Sequence, residues 1–311
     1  MKSKLIILLF LLSTVLFSNG EYVGAGASYK YGTNARQIAL SNSLISTYNR
    51  GYNALTNPAL LGSVYKMEYG LSYFAMSLDR YIQTFSVTVP VPPTASIGLS
   101  LFMSGTDDIQ GTDYNGQYTD TYKSWEGYGM LSFGLEFTKL SAGINIKILK
   151  NEIESYSANG IGVDIGLLYK LSSKNQFALL FDNLYTKYSW NIDFANYNHL
   201  YDEKFPRVLS LGFSSRVNQK LLSLYQVDYM TDVKRLNYKV GFELDLFKMK
   251  EIPLEIRLGL NNKNESFNYT FGFGYFLLIK NNLNLGIDYA LDTGLLDEGL
   301  SHLFTLTFNK K

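Results

Sequence analysis

Residues that could carry out catalysis are few and scattered in this 311-residue sequence. The segment LDTGLL, at 291–296, contains the Asp-Thr-Gly of aspartic proteases. That chemistry needs two carboxylates that share a proton, and no second Asp-Thr-Gly or Asp-Ser-Gly occurs. The two histidines, His199 and His302, are far apart in sequence, which gives little support to a histidine metal site or a Ser-His-Asp triad. The sequence therefore predicts a protein that is not an enzyme.

A cluster of aspartates is the other candidate for chemistry. The stretch 105–124 reads GTDDIQGTDYNGQYTDTYKS and carries Asp107, Asp108, Asp113 and Asp120. Oxygen-rich loops can bind calcium, but the ligand spacing of an EF-hand is absent here. We interpret the stretch as a solvated acidic loop and predict neither a metal site nor a cofactor. The net charge of +1 and the lack of a basic-aromatic patch argue against nucleic-acid binding.

Most remaining charges occur at every second position of segments that are otherwise apolar. Residues 163–171, for example, alternate between apolar side chains and Asp164, Gly166 or Lys170. A period of two places the two sets on opposite faces of a β-strand. The polar face is predicted to line a wet lumen, and its charged members include Glu68, Lys147, Asp164, Glu243, Asp245, Glu255, Arg257 and Asp288. The apolar face is predicted to contact lipid through Ile144, Ile146, Val163, Ile165, Leu254, Ile256 and Leu285.

These alternating segments are longer than the strands of soluble proteins. They run for about nine to twelve residues, whereas soluble strands average about five to six. Tyr, Phe and Gly are abundant, with 25, 20 and 26 copies, and the chain has no cysteine. A soluble sandwich would also alternate, but the strand length and the charged inner face disfavour it. The sequence predicts an all-β fold, a transmembrane antiparallel up-and-down β-barrel of about 14 strands.

The connections between the predicted strands sort by length. Short ones lie at 91–93, 138–139, 172–174, 217–220, around 248–250 and at 280–282, and long ones at 105–124, 186–204 and 292–299. Alternation of short and long connections is typical of periplasmic turns and outer loops in such barrels. We therefore predict a monomer in the outer membrane of a Gram-negative-type envelope, with membrane lipid and the barrel-assembly machinery as partners.

The first residues differ from the strands in composition. Residues 1–20 have a basic start and a short apolar run, which predicts a secretory signal peptide. Residues 21–64 precede the first strand and are too few to fold alone, so we predict that they fill the barrel as an N-terminal plug. Residues 65–311 then form the barrel. A plain surface linker is the alternative for the N-terminal segment.

Four residues of the predicted plug are singled out by their chemistry. Asn57, Pro58 and Ala59 form a turn in which Pro58 fixes its own backbone and Asn57 can bond to the backbone two residues on. Arg36 carries a planar guanidinium, which suits bidentate binding of a carboxylate. We predict that Arg36 pairs with the inward-facing carboxylates and that the Asn57 turn leads from the plug into the first strand.

The N-terminal segment resembles a known family. The stretch YGTNARQIALSNSLISTYNRGYNALTNPALLGSV is similar to the N-terminal signature of the PorV/PorQ family, within the FadL-like outer-membrane barrels. Thr56 stands where that family usually has an aromatic residue, and Leu60 where it usually has glycine. The matching positions are Gly32, Ala35, Arg36, Ala39, Leu40, Ala54, Asn57, Pro58, Ala59 and Leu60.

The resemblance implies two functions that the strand pattern does not separate. FadL-like proteins admit hydrophobic small molecules, with the N-terminal segment as a hatch. PorV-like proteins act as a shuttle in type IX secretion and receive a secreted cargo protein. A nonspecific porin is a further alternative, and an outer-membrane enzyme a distant one.

Overall fold

The computed structural model describes residues 25–154, 156–194, 197–246, 252–263, 266–279, 283–293 and 299–310. The predicted signal peptide and residues 21–24 lie outside this part of the chain. The described residues before the barrel form short helical turns. Two are α-helices, α1 (Ala35–Ala39) and α2 (Asn53–Thr56), and two are 3-10 helices, Ser28–Lys30 and Pro58–Ser63. Within the described ranges, no helix has the length and apolar character needed to cross a membrane.

The rest of the described chain is almost entirely β-structure. Sixteen strands occur among the described residues: β1 (Glu68–Ala75), β2 (Arg80–Val91), β3 (Ala95–Thr112), β4 (Tyr118–Phe137), β5 (Leu140–Ile153), β6 (Tyr156–Lys170), β7 (Asn175–Asp182), β8 (Lys187–Phe194), β9 (Tyr197–Lys204), β10 (Val208–Arg216), β11 (Leu221–Met230), β12 (Arg235–Asp245), β13 (Leu254–Lys263), β14 (Ser266–Ile279), β15 (Leu283–Asp292) and β16 (Ser301–Lys310).

Fourteen of these strands close a ring. The first and last strands pair antiparallel, with Glu68 opposite Asn309 and Ala75 opposite His302. The other two of the sixteen, β8 and β9, form a hairpin that branches from the outer part of β6, so that β7 pairs with β10 to continue the ring. The predicted 14-stranded antiparallel barrel is confirmed. Closure leaves no free edge in the ring, as backbone groups in lipid require.

The two faces of the barrel wall differ in the way the alternation predicts. Along β1 the residues are buried and exposed in strict alternation, with Glu68 and Ser72 on the buried side and Leu71 on the exposed side. Ile146 is 50% exposed although it is apolar, because it lies on the outer surface. Of the predicted lipid-facing residues, Ile144, Ile146, Ile165 and Ile256 are exposed, and Val163, Leu254 and Leu285 are partly exposed.

Two connections predicted as long loops are instead β-structure. Most of the stretch 105–124 extends β3 and β4 as a hairpin whose tip is 113–117, with register shifts after Thr106 and Gln110. The stretch 186–204 contains the β8–β9 hairpin. Above the lipid a strand needs backbone pairing but no apolar face, so the period-two signal fades while the strand continues. In the third long connection, residues 294–298 lie outside the described part.

The two ends of the barrel are thus distinct. We call the end with the tight connections, such as 138–139 between β4 and β5, the short-turn end. The end that carries the β3–β4 tip and the β8–β9 hairpin is the long-loop end.

Candidate functional site

The lumen of the barrel is occupied by the chain's own N-terminal segment. Residues 25–64, which we call the plug, lie inside the ring and pack on the inward faces of the strands. The N-terminus of the plug lies toward the long-loop end, and the 3-10 helix Pro58–Ser63 contacts β4, β5 and β6 toward the short-turn end. Several of its side chains are fully buried: Ala35, Ala39, Leu40, Leu44, Ala54, Asn57, Ala59 and Leu61. With the plug in this position, the lumen is therefore not an open pore.

A row of inward-facing glycines makes room for the plug. Gly134, Gly143 and Gly166 lie opposite one another in adjacent strands β4, β5 and β6. A side chain at any of them would collide with the Asn57–Pro58 turn, because the nearest atoms belong to Pro58 or Asn57. Close approach of two backbones requires glycine at such positions. The alternation predicts a wet wall at the inward glycines, whereas these three form a seat for the plug.

The same device recurs on the opposite wall. Residues 39–46 of the plug run across β14, β13, β12 and β10, and a glycine lies beneath them on each strand. A Cβ on Gly259 would lie 2.5 Å from the amide nitrogen of Ser41, and one on Gly272 would lie 2.5 Å from the Cβ of Ala39. The remaining two glycines are Gly212, under Ile45, and Gly241, under Ser43 and Leu40. The glycines of the wall thus follow the path of the plug.

The Asn57–Pro58–Ala59 turn is fixed by hydrogen bonds as well as by space. The side-chain oxygen of Asn57 accepts from the backbone N–H of Ala59 at 3.0 Å, and its amide nitrogen donates to the carbonyl of Ile45 at 2.9 Å. Asn57 is therefore the N-cap of the 3-10 helix, with Pro58 at its first position, where a missing N–H costs nothing. The turn does not lead directly into the barrel, because this helix stands between it and β1.

Arg36 lies beside one of the predicted carboxylates. Its Nε and Nη2 donate to the two oxygens of Glu243 on β12, at 2.7 and 2.9 Å, and its Nη1 donates to the carbonyl of Tyr48 at 2.6 Å. The fork is therefore bidentate to the wall and also ties two parts of the plug together. Burial alone would lower the pKa of Arg36. The neighbouring Glu243 carboxylate outweighs burial, so the pKa of Arg36 is raised above its ordinary value.

Arg257 is the centre of this charged group. Its side chain is fully buried, and it pairs with Glu243 at 2.8 Å, Asp288 at 2.5 Å and Glu255 at 2.5 Å. These residues come from β12, β13 and β15, so that one guanidinium neutralises carboxylates from three strands of the wall. Arg36 adds a second positive charge from the plug. We call these five residues the Arg36–Arg257 cluster. A charged group at this depth is stable only when it is paired.

Glu68 holds a different part of the plug. Its carboxylate accepts from the hydroxyl of Tyr48, from the backbone N–H of Gly51 at 2.9 Å and from the amide of Asn53 at 3.2 Å. Burial raises the pKa of Tyr48, and the neighbouring carboxylate raises it further, so the hydroxyl keeps its proton and donates. Glu68 thus fixes the residues that lead into α2, whereas the sequence predicts it among the carboxylates that could pair with Arg36.

On the other side of the lumen, Lys147 and Asp164 form a buried pair. Lys147 Nζ lies 2.7 Å from Asp164 and 3.9 Å from Asp182. Asn145 also donates to Asp164, at 3.2 Å, and to the carbonyl of Ala54 in the plug at 3.1 Å. A lumen-facing charge of a water-filled barrel could be changed at little cost, but loss of Lys147 or Asp164 here leaves the buried partner unpaired.

Two cavities flank the plug. The first, of about 190 Å³, lies toward the short-turn end and is lined by charged side chains that include Arg36, Arg50, Asp245 and Glu255. The second, of about 400 Å³, lies toward the long-loop end. Its wall combines apolar and aromatic side chains with amides and ion pairs. Any molecule that enters from the long-loop end meets the second cavity first.

The residues considered for catalysis are not brought together. Asp292, of the Asp-Thr-Gly segment, accepts from Asn268 at 2.9 Å, and the glycine of that segment lies outside the described residues. The His302 ring contacts the hydroxyl of Tyr289 at 2.8 Å on the outer face, and the side chain of His199 is not described. Asp113 caps the β3–β4 tip by accepting backbone N–H groups. The described residues contain no group of three or more potential metal ligands.

Comparison with known proteins identifies the fold. No family model and no curated relative matches the sequence. Among solved structures, the Pseudomonas putida toluene transporter TodX is similar with a TM-score of 0.66 and 14% identity, over 90% of this chain and 98% of TodX. The Ralstonia pickettii toluene transporter TbuX gives 0.63 and 13%, over 90% and 98%. A Pseudomonas aeruginosa FadL homologue gives 0.59 and 12%, over 89% and 98%.

These identities are too low to carry over a ligand, but the fold is shared across most of the chain. The chain therefore has the barrel fold of these three structures. The narrower PorV/PorQ placement has no counterpart among these three structures and stays a prediction.

Proposed function

We propose that this chain is an outer-membrane channel of the FadL-like type that admits small, largely apolar molecules. The observation that carries the proposal is the combination of an occupied lumen and a cavity of about 400 Å³ above the plug, within a barrel whose outer face is apolar. A cavity of that volume falls in the range of small-molecule sites. The solved relatives named above as toluene transporters support the same class of solute.

In this proposal the long-loop end faces outward and the short-turn end faces the periplasm. The barrel acts as a monomer, inserted in the outer membrane by the barrel-assembly machinery. A solute enters the second cavity, and the plug must shift before the solute can reach the short-turn end. The plug separates this function from that of a nonspecific porin, whose lumen is open to water.

The test is a comparison of two solutes in Gram-negative cells. Cells that produce the chain and cells with an empty vector are given radiolabelled ethylbenzene or radiolabelled glucose, and initial uptake rates are measured. We expect faster ethylbenzene uptake with the chain and no change for glucose. A rise in glucose uptake alone would favour the porin, and no rise for either solute would contradict the proposal.

The shuttle role in type IX secretion is a second candidate. It is supported by the sequence of the plug, in which Arg36 and the Asn57–Pro58–Ala59 turn match the PorV/PorQ signature. Co-purification of the intact protein with a secreted cargo that carries a C-terminal sorting domain is the measurement that favours it over the channel.

A further inference from the structure

The N-terminal end of the plug places one tyrosine in a pocket of aromatic rings. We call residues 25–31 the tip. The ring of Tyr29 meets Phe102 and Tyr128 edge-on, with centroids 5.1 and 5.0 Å apart, and stacks on Phe205 at 5.8 Å with an interplanar angle of 9°. Both edge-on and stacked arrangements are favourable for aromatic pairs. Tyr29 therefore sits in the pocket as a ligand would.

The walls of this pocket form two pairs of rings. Phe102 and Tyr128 stack at 5.2 Å, and Tyr188 contacts Phe205 at 5.0 Å. Phe102, Tyr188 and Phe205 are nearly or fully buried. Phe102 lies on β3, Tyr188 on β8 and Phe205 directly after β9. The branch hairpin and the residue that follows it therefore supply two of the four rings. We call Phe102, Tyr128, Tyr188 and Phe205 the aromatic cage.

One end of the cage is polar. The hydroxyl oxygens of Tyr29 and Tyr188 lie 2.6 Å apart, and Tyr188 donates to Glu126 at 3.3 Å. Because the proton of Tyr188 points to the carboxylate, its oxygen is left to accept from the hydroxyl of Tyr29. A ring that carries a hydroxyl satisfies this end, whereas a plain hydrocarbon ring would leave the acceptor unpaired.

The cage opens on the second cavity. Tyr29, Tyr128 and Phe205 line both. Asn145 and Gln226 also line this cavity, but their amide oxygens have almost no accessible surface and accept no hydrogen bond from the described residues. Their orientation is fixed, since the nitrogen of each amide donates to a carboxylate, Asn145 to Asp164 and Gln226 to Asp228 at 2.7 Å. The Tyr188 end of the cage is therefore where a ligand hydroxyl finds its acceptor.

A glycine separates the tip from the part of the plug that Arg36 anchors. Gly32 separates the tip from α1 and has a φ of +115°, a backbone conformation that favours glycine. Arg36, which is tied to Glu243, lies beyond this glycine. Rotation at Gly32 would withdraw Tyr29 while the Arg36–Arg257 cluster stays intact.

We propose that the aromatic cage is a binding site for hydroxylated aromatic molecules of the phenol class, and that Tyr29 occupies it as a built-in competitor. The inference rests on the proposed function only in that such a molecule reaches the cage from the long-loop end. Binding itself needs no passage through the barrel. A ligand that enters must displace Tyr29, so its apparent affinity falls by the fraction of time that the cage is free.

The experiment measures binding of 4-ethylphenol and ethylbenzene to the purified full-length protein in detergent by calorimetry. We expect 4-ethylphenol to bind about 10-fold more tightly than ethylbenzene, the factor expected for one net hydrogen bond. Tyr29→Ala should tighten 4-ethylphenol binding about 10-fold or more, because the competitor is removed. Tyr188→Phe should abolish the preference for the phenol and leave ethylbenzene binding as it was.

Controls make each outcome decisive. Tyr65→Ala removes an exposed tyrosine near the short-turn end and should leave both affinities unchanged. A heat-dependent shift on electrophoresis establishes that each variant is a folded barrel. Unchanged or weaker phenol binding by folded Tyr29→Ala, or equal binding of the two probes by the parent protein, would overturn the inference. If cells take up ethylbenzene but the purified protein shows no preference for 4-ethylphenol, the proposed function stands and this inference fails. If the purified protein prefers 4-ethylphenol but cells show no increased uptake, this inference stands and the proposed function fails.

Discussion

At the scale of single residues, Arg257 is the most demanding position in the wall. Its replacement by methionine roughly keeps the volume but leaves the buried Asp288 and the partly buried Glu255 without their cationic partner. Removing one member of a buried ion pair costs about 3–5 kcal/mol. We expect Arg257→Met to lower the free energy of unfolding by about that amount, measured by urea titration in lipid vesicles.

The control for Arg257 is an exposed pair of the same type. Arg207 contacts Asp232 at 3.1 Å near the long-loop end, and its side chain is 59% exposed. Arg207→Met should change the free energy of unfolding by no more than about 1 kcal/mol. Equal effects of the two substitutions would mean that water reaches the Arg36–Arg257 cluster freely.

A residue on the outer face of the barrel tests the predicted contact with lipid. Ile146 is half exposed and lies beside Lys147, which faces inward. Ile146→Arg places a charge against lipid and should cost about 2–4 kcal/mol if the position is near the bilayer midplane. Ile146→Val is the matched control and should cost much less. The same urea titration measures both, and a loss below about 1 kcal/mol for the arginine would contradict the face assignment.

At the scale of elements, the glycine row on β4, β5 and β6 decides where the plug rests. A side chain on Gly143 would enter the backbone of the Pro58–Ala59 peptide. Overfilling a close contact costs about 1–3 kcal/mol, and here the plug can yield more readily than the closed ring. We expect Gly143→Val to leave the barrel folded but to loosen the plug, so that a protease cleaves it more rapidly within residues 25–64.

Gly129 offers the control for this element. It lies on the neighbouring strand β4, and an added Cβ there would meet only Leu101 at 3.7 Å, an ordinary contact. Gly129→Val should leave the protease resistance of the plug unchanged. If both variants are cleaved like the parent protein, the glycine row does not fix the plug.

The elements also show what could be predicted from the sequence. Strands that cross lipid were recoverable because one face must be apolar along their whole length, as at Ile144, Ile146 and Ile148. The β8–β9 hairpin was missed because no lipid imposes that pattern on it. The glycine row was invisible for another reason: Gly134, Gly143 and Gly166 become neighbours only through strand register. Arg36 could be matched to a set of carboxylates, but the choice of Glu243 depends on where the closed ring brings β12.

At the scale of the whole molecule, the plug and the ring are separable parts with different supports. The ring is closed by backbone pairing between β1 and β16, which involves no plug residue. The plug is held by the Arg36–Arg257 cluster, by Glu68 and by the glycine rows. The wall charges are paired partly with one another, as in Arg257 with Asp288. The barrel should therefore survive loss of the plug, because water can hydrate the charges that the plug leaves behind.

This independence leads to a prediction about conductance. Deletion of residues 21–55 should leave a folded barrel with a water-filled lumen, and single-channel conductance in planar bilayers should rise severalfold over the parent protein. Arg36→Ala removes the bidentate contact to Glu243, which keeps Arg257 as a partner, and the hydrogen bond to the Tyr48 carbonyl within the plug. We therefore expect the plug to leave its seat intermittently in this variant, seen as brief openings rather than a steady current. Arg207→Met, which changes an exposed side chain paired with Asp232 of the wall, should behave like the parent. Conductance that is unchanged in both the deletion and Arg36→Ala, with the barrel folded, would mean that residues 25–55 do not limit passage.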